Sequence, residues 1–573
     1  MATLQKRISR GHAYWSIVES RRINGKPRPI ILEYLGSAEN LLERLQEGIP
    51  KKVRSYAHGA VAPLLAIADQ MQVVKIINKY VPSEQLRDGL SVGASLLLAS
   101  LGRICRPTSK RNWYAGWAKD TSLGYLTGRS FRKLDSQHFW DQMQALPETA
   151  IAEIEETLLQ VVIEKERIVL DTILLDMSNF FTYIASTNKR CTLAQRGKNK
   201  QRRIDLRQLG LLLVVSRQER LPLFHQIYQG NLVDRTIFKE QFSNILSRFK
   251  ALGGSEEAIT LVFDQGNNSK DMLRNVQNEL YFVGALSALQ HKELITVANQ
   301  SLACISVKGR DISCYRVRKT IWRLDLTAVV YISEKLRQGQ IRGYEQNIHK
   351  LSIRLNLLKS KLRKPPGRGP KRTQEQIEQR IRSLVRRFLP GKLVGWRLDD
   401  LGNHAFDLHY WIDRDYYCFL KEQILGRRIL ITNRHLWSTE EIILAYWGQS
   451  KVESVFRMIK NPFYLPVRPQ YHWTDQKIRV HGLICFIALL LATILQKRAR
   501  ELAGFDRSFF TLMELLTKIR LATFIEKRPG QKKGRYKTTY VLEEMDAKEA
   551  KLADGLAISA ARPRLKTLLS VYK

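Results

Sequence analysis

The sequence predicts a mixed α/β protein with a core interrupted by a large insertion and flanked by helical regions. Short apolar runs typical of buried strands alternate with helical patterns between about residues 168 and 264. A second strand-and-helix pattern begins only near residue 428, after a stretch far longer than a compact α/β unit needs. A hydrophobic content of 44% with 26% charged residues is typical of folded chains, so disorder is not expected.

The first half of the predicted core combines strands and one helix. A strand is expected over residues 168–177, followed by a hairpin of residues 209–215 and 221–228. A helix over residues 236–252 and a strand over residues 259–263 follow. Three antiparallel strands, a helix and a further strand form the first half of a ribonuclease H-like fold, which is the predicted fold class.

The charge of the chain predicts a polyanionic partner. There are 94 Lys and Arg residues against 54 Asp and Glu, which gives a formal net charge of +40. Phosphates release their counterions when Lys and Arg neutralise them, so double-stranded DNA is the expected partner. The six cysteines include no Cys-x-x-Cys pair, which argues against a zinc module and a disulfide scaffold.

No membrane segment or secretion signal is expected. The first residues have no apolar signal core, and the uncharged stretch at about 482–496 is shorter than the ~20 residues of a spanning helix. The sequence therefore predicts a cytoplasmic, nucleoid-associated protein.

The composition and patterning divide the chain into six predicted regions. In order, these are a small basic β-hairpin with a helix (1–50), a helical region expected to bind DNA (51–166), the first half of the core (167–290), an insertion with strands and a basic helical hairpin (291–425), the second half of the core (426–500), and a basic helical region suited to dimerisation (501–573). Asn24-Gly25 supplies the turn of the N-terminal hairpin, which suits a DNA-binding arm and a packing unit equally.

Three carboxylates are the strongest chemical signal in the chain. Asp176 closes the apolar run 173–175, and Asp264 closes the run 261–263. Glu453 lies in a pattern over residues 446–460 that predicts one amphipathic helix. Mg²⁺ prefers oxygen ligands, and two such ions about 3.5–4 Å apart stabilise both the attacking and the leaving oxygen of a displacement at phosphorus. The sequence predicts two Mg²⁺ ions, replaceable by Mn²⁺, with Asp176 between them.

The helix around Glu453 has a polar stripe. Tyr446, Glu453 and Lys460 follow one another at intervals of seven residues, which places them at nearly the same angle on a helix. The opposite side is apolar and is expected to pack against the sheet, through Leu444, Val452, Val455 and Ile459.

The stripe also resembles a family signature. Tyr446, Glu453 and Lys460 fit the pattern tyrosine, two residues, arginine, three residues, glutamate, six residues, lysine. In this the chain resembles the bacterial DDE transposases of the insertion-sequence superfamily numbered four. Further stretches between residues 10 and 545 are similar to its larger members with an N-terminal Tyr-Trp hairpin, at 14–15, 174–181, 205–208, 230–234, 467–473 and 478–481.

The resemblance implies a catalytic triad and a set of DNA contacts. The triad would be Asp176, Asp264 and Glu453, holding two Mg²⁺ ions in a homodimer that pairs two transposon ends. Tyr446 would contact DNA near the cut, and Lys460 a phosphate. Gln449 occupies the position of the signature's arginine, where it can hydrogen-bond a phosphate but supplies no charge. The basic linker of the insertion is a further expected DNA contact, through Arg368, Lys371 and Arg372.

The first aspartate has one alternative. Asp171 also follows an apolar run, and its offset of five residues from Asp176 places it on the opposite face of a strand. The stretch 178–181 after Asp176 favours Asp176. His404 and His409 are predicted to be strand residues and not metal ligands, because no further ligand stands at a suitable spacing.

The function expected from the resemblance is cut-and-paste DNA transposition. The protein would bind terminal inverted repeats, cleave the transposon ends by metal-assisted hydrolysis and join the 3′-hydroxyl to target DNA. Two alternatives stay open at this point, a ribonuclease H-like structure-specific nuclease and a catalytically inactive, transposase-derived DNA-binding protein.

Overall fold

The computed structural model describes residues 2–23, 26–46, 52–81, 86–199, 203–254, 259–264, 273–274, 276, 279–365, 373–461, 463, 465–467, 472–526 and 537–561. The chain divides into two compact units. The first unit comprises Met1–Ala150, Phe463–Leu465 and Ile487–Lys573, and the second comprises Ile151–Pro462 and Pro466–Phe486.

The secondary structure is mixed α/β, as the sequence predicts. The strands are β1 (Ala2–Ser9), β2 (His12–Ile23), β3 (Lys26–Ser37), β4 (Lys52–Ala57), β5 (Thr172–Thr182), β6 (Arg207–Ser216), β7 (Pro222–Gln229), β8 (Thr260–Val262), β9 (Tyr281–Leu286), β10 (Ala303–Val307), β11 (Arg310–Ile321), β12 (Leu324–Ile332), β13 (Val394–Gly402), β14 (Ala405–Ile412), β15 (Arg427–Thr432), β16 (Arg520–Glu526) and β17 (Lys537–Leu542). The helices are α1 (Ala38–Gln46), α2 (Val61–Gln70), α3 (Val73–Lys79), α4 (Val92–Cys105), α5 (Trp113–Gly116), α6 (Leu123–Thr127), α7 (Ser136–Gln144), α8 (Ala150–Glu166), α9 (Asp234–Ala251), α10 (Lys292–Gln300), α11 (Glu334–Leu362), α12 (Gln374–Phe388), α13 (Arg414–Phe419), α14 (Thr439–Trp447), α15 (Gln449–Lys460), α16 (Asp475–Ala503), α17 (Phe509–Lys518) and α18 (Ala547–Gly555).

The first unit contains helices and two small antiparallel sheets. Strands β1, β2 and β3 form one sheet, and β4, β16 and β17 form the other. The apolar helix α4 is buried along almost its whole length and starts at Ser91, whose hydroxyl accepts the Ala94 amide at 3.2 Å. Residues 51–166 and 501–573, which are predicted to be helical, contain strands β4, β16 and β17 beside their helices. Each contributes strands because β4 and β16 pair across most of the chain, a contact that no local pattern encodes.

A nine-stranded sheet forms the centre of the second unit. Its strand order is β10-β11-β12-β15-β9-β8-β5-β6-β7. Strands β5, β6 and β7 are antiparallel neighbours, whereas β8 and β9 continue the sheet parallel to β5. The strands β10–β12 of the predicted insertion extend this same sheet, because β12 pairs with β15.

Strand β5 is longer on one side than on the other. Its pairing with β8 covers only Thr172–Leu174, whereas its pairing with β6 continues to Thr182. The predicted strand over residues 168–177 is thus displaced toward the C-terminus. Helix α8 ends at Glu166, and the next residues form the connection to the sheet.

The insertion also contains a helical pair. One face of α11 and one of α12 are buried, through Leu351, Leu355, Leu358 and Leu362 on the first and Ile377, Ile381 and Val385 on the second. Both helices lie in the region where the sequence predicts a basic helical hairpin. The basic linker between these helices, with Arg368, Lys371 and Arg372, lies outside the described residues, as does the Asn24-Gly25 turn.

The pattern over residues 446–460 forms two helices and not one. Helix α14 ends at Trp447, and α15 begins at Gln449 after a single residue, Gly448. The Lys451 amide donates to the Gly448 carbonyl at 2.7 Å, a three-residue spacing in place of the four-residue spacing of an α-helix. Tyr446 therefore belongs to a different helix from Glu453 and Lys460.

Helix α16 is the most apolar long helix among those described. By length and composition alone it could cross a membrane, and 89% of its apolar window is buried inside the protein. Burial of this extent is typical of a core helix, which can pass the same test of length and composition.

Candidate active site

Asp176 and Asp264 stand at corresponding positions of two neighbouring parallel strands. The last register pair of β5 and β8 is Leu174 with Val262, and each aspartate follows two residues later. The chain after β8 keeps its direction for one further residue, because the Phe263 amide donates to the Val283 carbonyl at 3.2 Å. Since adjacent strands lie about 4.8 Å apart, this register brings the two carboxylates close together where the pairing of the parallel strands β5 and β8 ends. Asp176 is half-buried and Asp264 is exposed.

Asp171 lies at the opposite end of the same strand. Its carbonyl accepts the Thr260 amide at 3.0 Å, at the start of β8. Its carboxylate accepts the Thr172 amide at 2.5 Å and lies 3.8 Å from the Arg217 guanidinium. Asp171 and Asp264 therefore lie at opposite edges of the parallel pair of strands.

Tyr446 connects Asp264 to the half-buried guanidinium of Arg428. Its hydroxyl donates to Asp264 Oδ1 at 3.0 Å and accepts a hydrogen bond from Arg428 Nη1 at 2.6 Å. The Arg428 guanidinium also lies 5.1 Å from the centre of the Tyr446 ring. Burial raises the pKa of Tyr446, so the hydroxyl stays protonated and able to donate. Tyr446 is only 5% exposed, which does not fit the direct DNA contact expected from the sequence.

Gln449 is also buried, against the strand that carries Asp176. Its side-chain amide donates to the Leu175 carbonyl at 2.9 Å, and the residue is 6% exposed. The expected DNA contact through Gln449 does not fit this position, because the amide is turned into the protein. A helical wheel could not indicate this, since Leu175 is remote in sequence.

Glu453 and Lys460 lie on the exposed side of α15. The other side of this helix is buried through Val452, Val455 and Ile459, as predicted, and packs on β5. The Lys460 ammonium donates to the Ser178 hydroxyl and lies 5.7 Å from the centre of the Phe180 ring. The Lys460 ammonium is therefore held against β5 at Ser178, two residues beyond Asp176.

Two further residues near the aspartates, Tyr228 and Arg428, were not predicted from the sequence. Tyr228 donates to Asp234 Oδ1 at 3.2 Å, and burial together with the charges of Asp234 and Asp176 raises its pKa. Arg428 was missed as well. An arginine directly before an apolar strand, in the run 429–432, was the only available indication.

The donor set suits hard cations, but the three carboxylates do not form a ready-made cage. Among the residues that the structure describes, no group of three or more His, Cys, Asp or Glu side chains is close enough to hold a metal ion. The register of the two aspartates and the packing of α15 on β5 are the observations that favour Asp176, Asp264 and Glu453 as ligands. All three supply the oxygen ligands that Mg²⁺ prefers.

The two histidines have other surroundings. His409 lies in β14, where its Nε2 is 3.4 Å from an Asp399 oxygen and 3.2 Å from an Asp407 oxygen. His404 is not a strand residue, because it has a φ of 60° in the turn before β14.

Comparisons with known proteins give only weak likenesses. No family model and no curated protein match the chain. A piggyBac transposase in a synaptic complex with hairpin DNA aligns over 79% of each chain with 10% identity and a TM-score of 0.38. The Mos1 transposase in a paired-end complex with the left transposon end aligns over 34% of this chain and 58% of its own, with 8% identity and a TM-score of 0.13. These scores are too low to establish a fold or a function.

Proposed function

We propose that this protein is a DDE transposase that cleaves transposon DNA ends and joins them to target DNA. The observation that supports this most is the register of β5 and β8, which sets Asp176 beside Asp264 at one edge of the sheet. Glu453 is presented by α15, the helix that packs on β5. These carboxylates suit metal-dependent chemistry at a phosphodiester.

The proposed core is ribonuclease H-like. The order β7-β6-β5-β8, with three antiparallel strands and then a strand parallel to β5, supports this proposal, and β9 adds a second strand parallel to β5. Helix α9 connects β7 to β8, as expected for that arrangement.

In this proposal the residues of the site have three roles: binding metal ions, orienting a carboxylate and binding a phosphate. Asp176, Asp264 and Glu453 would hold two Mg²⁺ ions, which Mn²⁺ can replace, and bound ions of this kind stabilise the attacking and leaving oxygens. Tyr446 orients the Asp264 carboxylate by its hydrogen bond. Lys460, fixed at Ser178, supplies a positive charge for a phosphate beside the carboxylates.

The proposed partners are double-stranded DNA and a second copy of the chain. A net charge of +40 suits binding to phosphates at both the transposon ends and the target. Each chain contributes one set of the three carboxylates. We therefore propose a homodimer for pairing and joining two ends.

The test is cleavage of a DNA fragment that contains this gene with its natural flanks. Wild type is compared with Asp264→Asn, which keeps a hydrogen-bond acceptor for Tyr446, and with Asp171→Asn as the matched control at the other end of β5. Mg²⁺-dependent cuts at matching inverted ends, lost in Asp264→Asn and retained in Asp171→Asn, are the expected result.

Other outcomes would contradict the proposal in distinct ways. Scattered cuts that depend on Asp264 would indicate a structure-specific nuclease. DNA binding without cleavage in the wild type would indicate an inactive descendant. Loss of cleavage in Asp171→Asn together with full activity in Asp176→Asn would overturn the choice of the first aspartate.

A further inference from the structure

The segment that follows β5 is a basic loop held in a fixed shape. We define the β5–β6 loop as residues 183–199, which contain no Asp or Glu. Its basic side chains are exposed, at Lys189, Arg190, Arg196 and Lys198. Exposed charges of one sign on an irregular segment do not by themselves indicate a binding surface. Here the backbone that carries them is fixed from inside the protein.

Arg207, the first residue of β6, binds the loop from within. It is 9% exposed, and its guanidinium donates hydrogen bonds to four backbone carbonyls of the loop. The distances are 2.5 Å to Ala194, 2.8 Å to Cys191, 3.0 Å to Ala185 and 3.3 Å to Asn188. An arginine committed to four carbonyls fixes the path of the chain, because its planar fork leaves few alternative geometries.

Asp475 and Gln208 hold the other side of the loop. The Asp475 carboxylate accepts the Thr192 hydroxyl at 2.5 Å and the Thr192 and Leu193 amides at 3.0 and 3.1 Å. Burial alone would raise the pKa of Asp475, but these hydrogen bonds hold it below its usual range, so the carboxylate stays charged. The backbones of Gln195 and Gln208 exchange hydrogen bonds of 3.0 and 2.8 Å.

The position of the loop relative to the carboxylates follows from β5. Thr182, the last residue of β5, stands six residues beyond Asp176 on the same strand. At about 3.3 Å per residue this is about 20 Å. Lys460 meets the strand between them, at Ser178. Duplex DNA advances 3.4 Å per base pair, so about 20 Å corresponds to about six base pairs.

We propose that the β5–β6 loop is a preorganised binding surface for the phosphate backbone of double-stranded DNA, about six base pairs from the cut phosphate. The position of the cut rests on the proposed function, whereas the binding does not. Charge complementarity and a backbone fixed by Arg207 and Asp475 are the two observations that support it, because ordering the loop costs little when DNA binds.

The first test measures affinity against salt concentration with the double variant Lys189→Gln/Lys198→Gln. Binding of a labelled 30-base-pair duplex of arbitrary sequence is followed by fluorescence anisotropy in EDTA, so cleavage plays no part. The magnitude of the slope of log K against log salt should fall by about 1.8, since each of the two lost phosphate contacts removes about 0.9. Between 50 and 200 mM salt the wild type should lose about 12-fold more affinity than the variant.

The matched control is Lys165→Gln/Lys250→Gln. These exposed lysines stand in the last turns of α8 and α9, the helices that precede the amino ends of β5 and β8, at the opposite edge of the parallel strands. The control should keep the wild-type slope. An unchanged slope in the loop variant, or an equal fall in the control, would overturn the proposal.

A second variant tests the fixed shape without changing the charge. Arg207→Lys keeps the positive charge but cannot bind four carbonyls. It should lower DNA affinity several-fold at constant salt slope and speed tryptic cleavage after Arg190 and Lys198. Wild-type affinity with faster proteolysis would show that preorganisation is irrelevant to binding.

The position is tested by shortening the duplex once the cut has been mapped. Truncation to fewer than about six base pairs on one side of the cut should weaken wild-type binding but not that of the loop variant. A smaller salt slope in the loop variant, without any cleavage by the wild type, would support DNA binding by the loop and contradict the proposed transposase activity. Cleavage by the wild type with an unchanged slope in the loop variant would support the activity and contradict DNA binding by the loop.

Discussion

Replacing Tyr446 with Phe removes one hydroxyl that joins a cation to a proposed catalytic carboxylate. The ring remains, so its packing and its contact with the Arg428 guanidinium at 5.1 Å are retained. The variant loses the hydrogen bond from Arg428 at 2.6 Å and the one to Asp264 at 3.0 Å. It therefore isolates the two hydrogen bonds from everything else that Tyr446 does.

The expected cost is about 1.5–3 kcal/mol of unfolding free energy. A hydrogen bond to a charged group contributes roughly that amount, and the bond with half-buried Arg428 should dominate. Asp264 is exposed and regains water, so its bond should contribute less, about 0.5–1 kcal/mol. Its loss should instead lower the rate of DNA cleavage, because the carboxylate is no longer oriented.

The assay is urea denaturation followed by circular dichroism, combined with a double-mutant cycle against Asp264→Ala, which removes the acceptor of the Tyr446 hydroxyl. Tyr331→Phe is the control, since the Tyr331 hydroxyl accepts only the neutral Trp447 indole at 3.3 Å among the hydrogen bonds described for it, and it should cost about 0.5–1.5 kcal/mol. A coupling of at least about 0.5 kcal/mol between Tyr446 and Asp264 is expected. Additivity of the two changes, or a Tyr446→Phe cost no larger than the control's, would refute the reasoning.

Three further predictions separate stability, metal binding and protonation. Ile459 is only 3% exposed, so Ile459→Ala should lower the free energy of unfolding in urea by about 2–5 kcal/mol. Glu453→Gln should change that free energy by less than about 0.5 kcal/mol and abolish Mg²⁺-dependent cleavage. Retained cleavage would exclude Glu453 as a ligand. Mg²⁺ at a hundred times its Kd should stabilise the wild type by about 2.7 kcal/mol in thermal denaturation without DNA, and Asp264→Asn should respond less; equal responses would place the metal elsewhere. Burial lowers the pKa of His138 from 6.5, against the opposing effect of Asp88, so the unfolded chain takes up a proton that the folded chain excludes. Stability should therefore fall as the pH drops below about 6.5, and a Tm that does not change between pH 8 and pH 5 would contradict this.

Elements with strong local patterns could be predicted from the sequence. Helix α12 has a clear apolar periodicity and a Thr373 capping box, and it lies in the region where the sequence predicts a helical hairpin. Two apolar runs that each end in an aspartate indicated Asp176 and Asp264 as candidates, whereas the register between their strands was found only in the structure. Strand β9, at Tyr281–Leu286, was missed, because its burial depends on pairing with β8 on one side and on the other with β15, which is remote in the sequence.

The side chains of α14 and α15 show why the candidate site was only partly predictable. A helical wheel assumes one continuous helix, and Gly448 breaks it. The wheel gives Tyr446 and Gln449 an outward direction. The partners that turn them inward, Asp264 and the Leu175 carbonyl, are 182 and 274 positions away and can be found only in the folded chain.

Among the residues that the structure describes, the uneven pairing of β5 leaves part of its backbone without a neighbouring strand on the side of β8. In the antiparallel ladder with β6, the amide and carbonyl groups of the odd-numbered residues of β5 point toward β8. Pairing with β8 ends at Leu174, yet the next two such groups are satisfied by side chains: the Gln449 amide takes the Leu175 carbonyl, and the Asp176 carboxylate takes the Met177 amide at 2.8 Å.

A buried backbone group left without a hydrogen-bond partner costs about 1–3 kcal/mol. Leu175 and Met177 are buried, and Gln449 and Asp176 supply the partners that pairing with β8 does not. The glutamine that departs from the signature thus completes the hydrogen bonding of the sheet where β5 and β8 separate, and Gln449→Ala should lower the free energy of unfolding by about that amount.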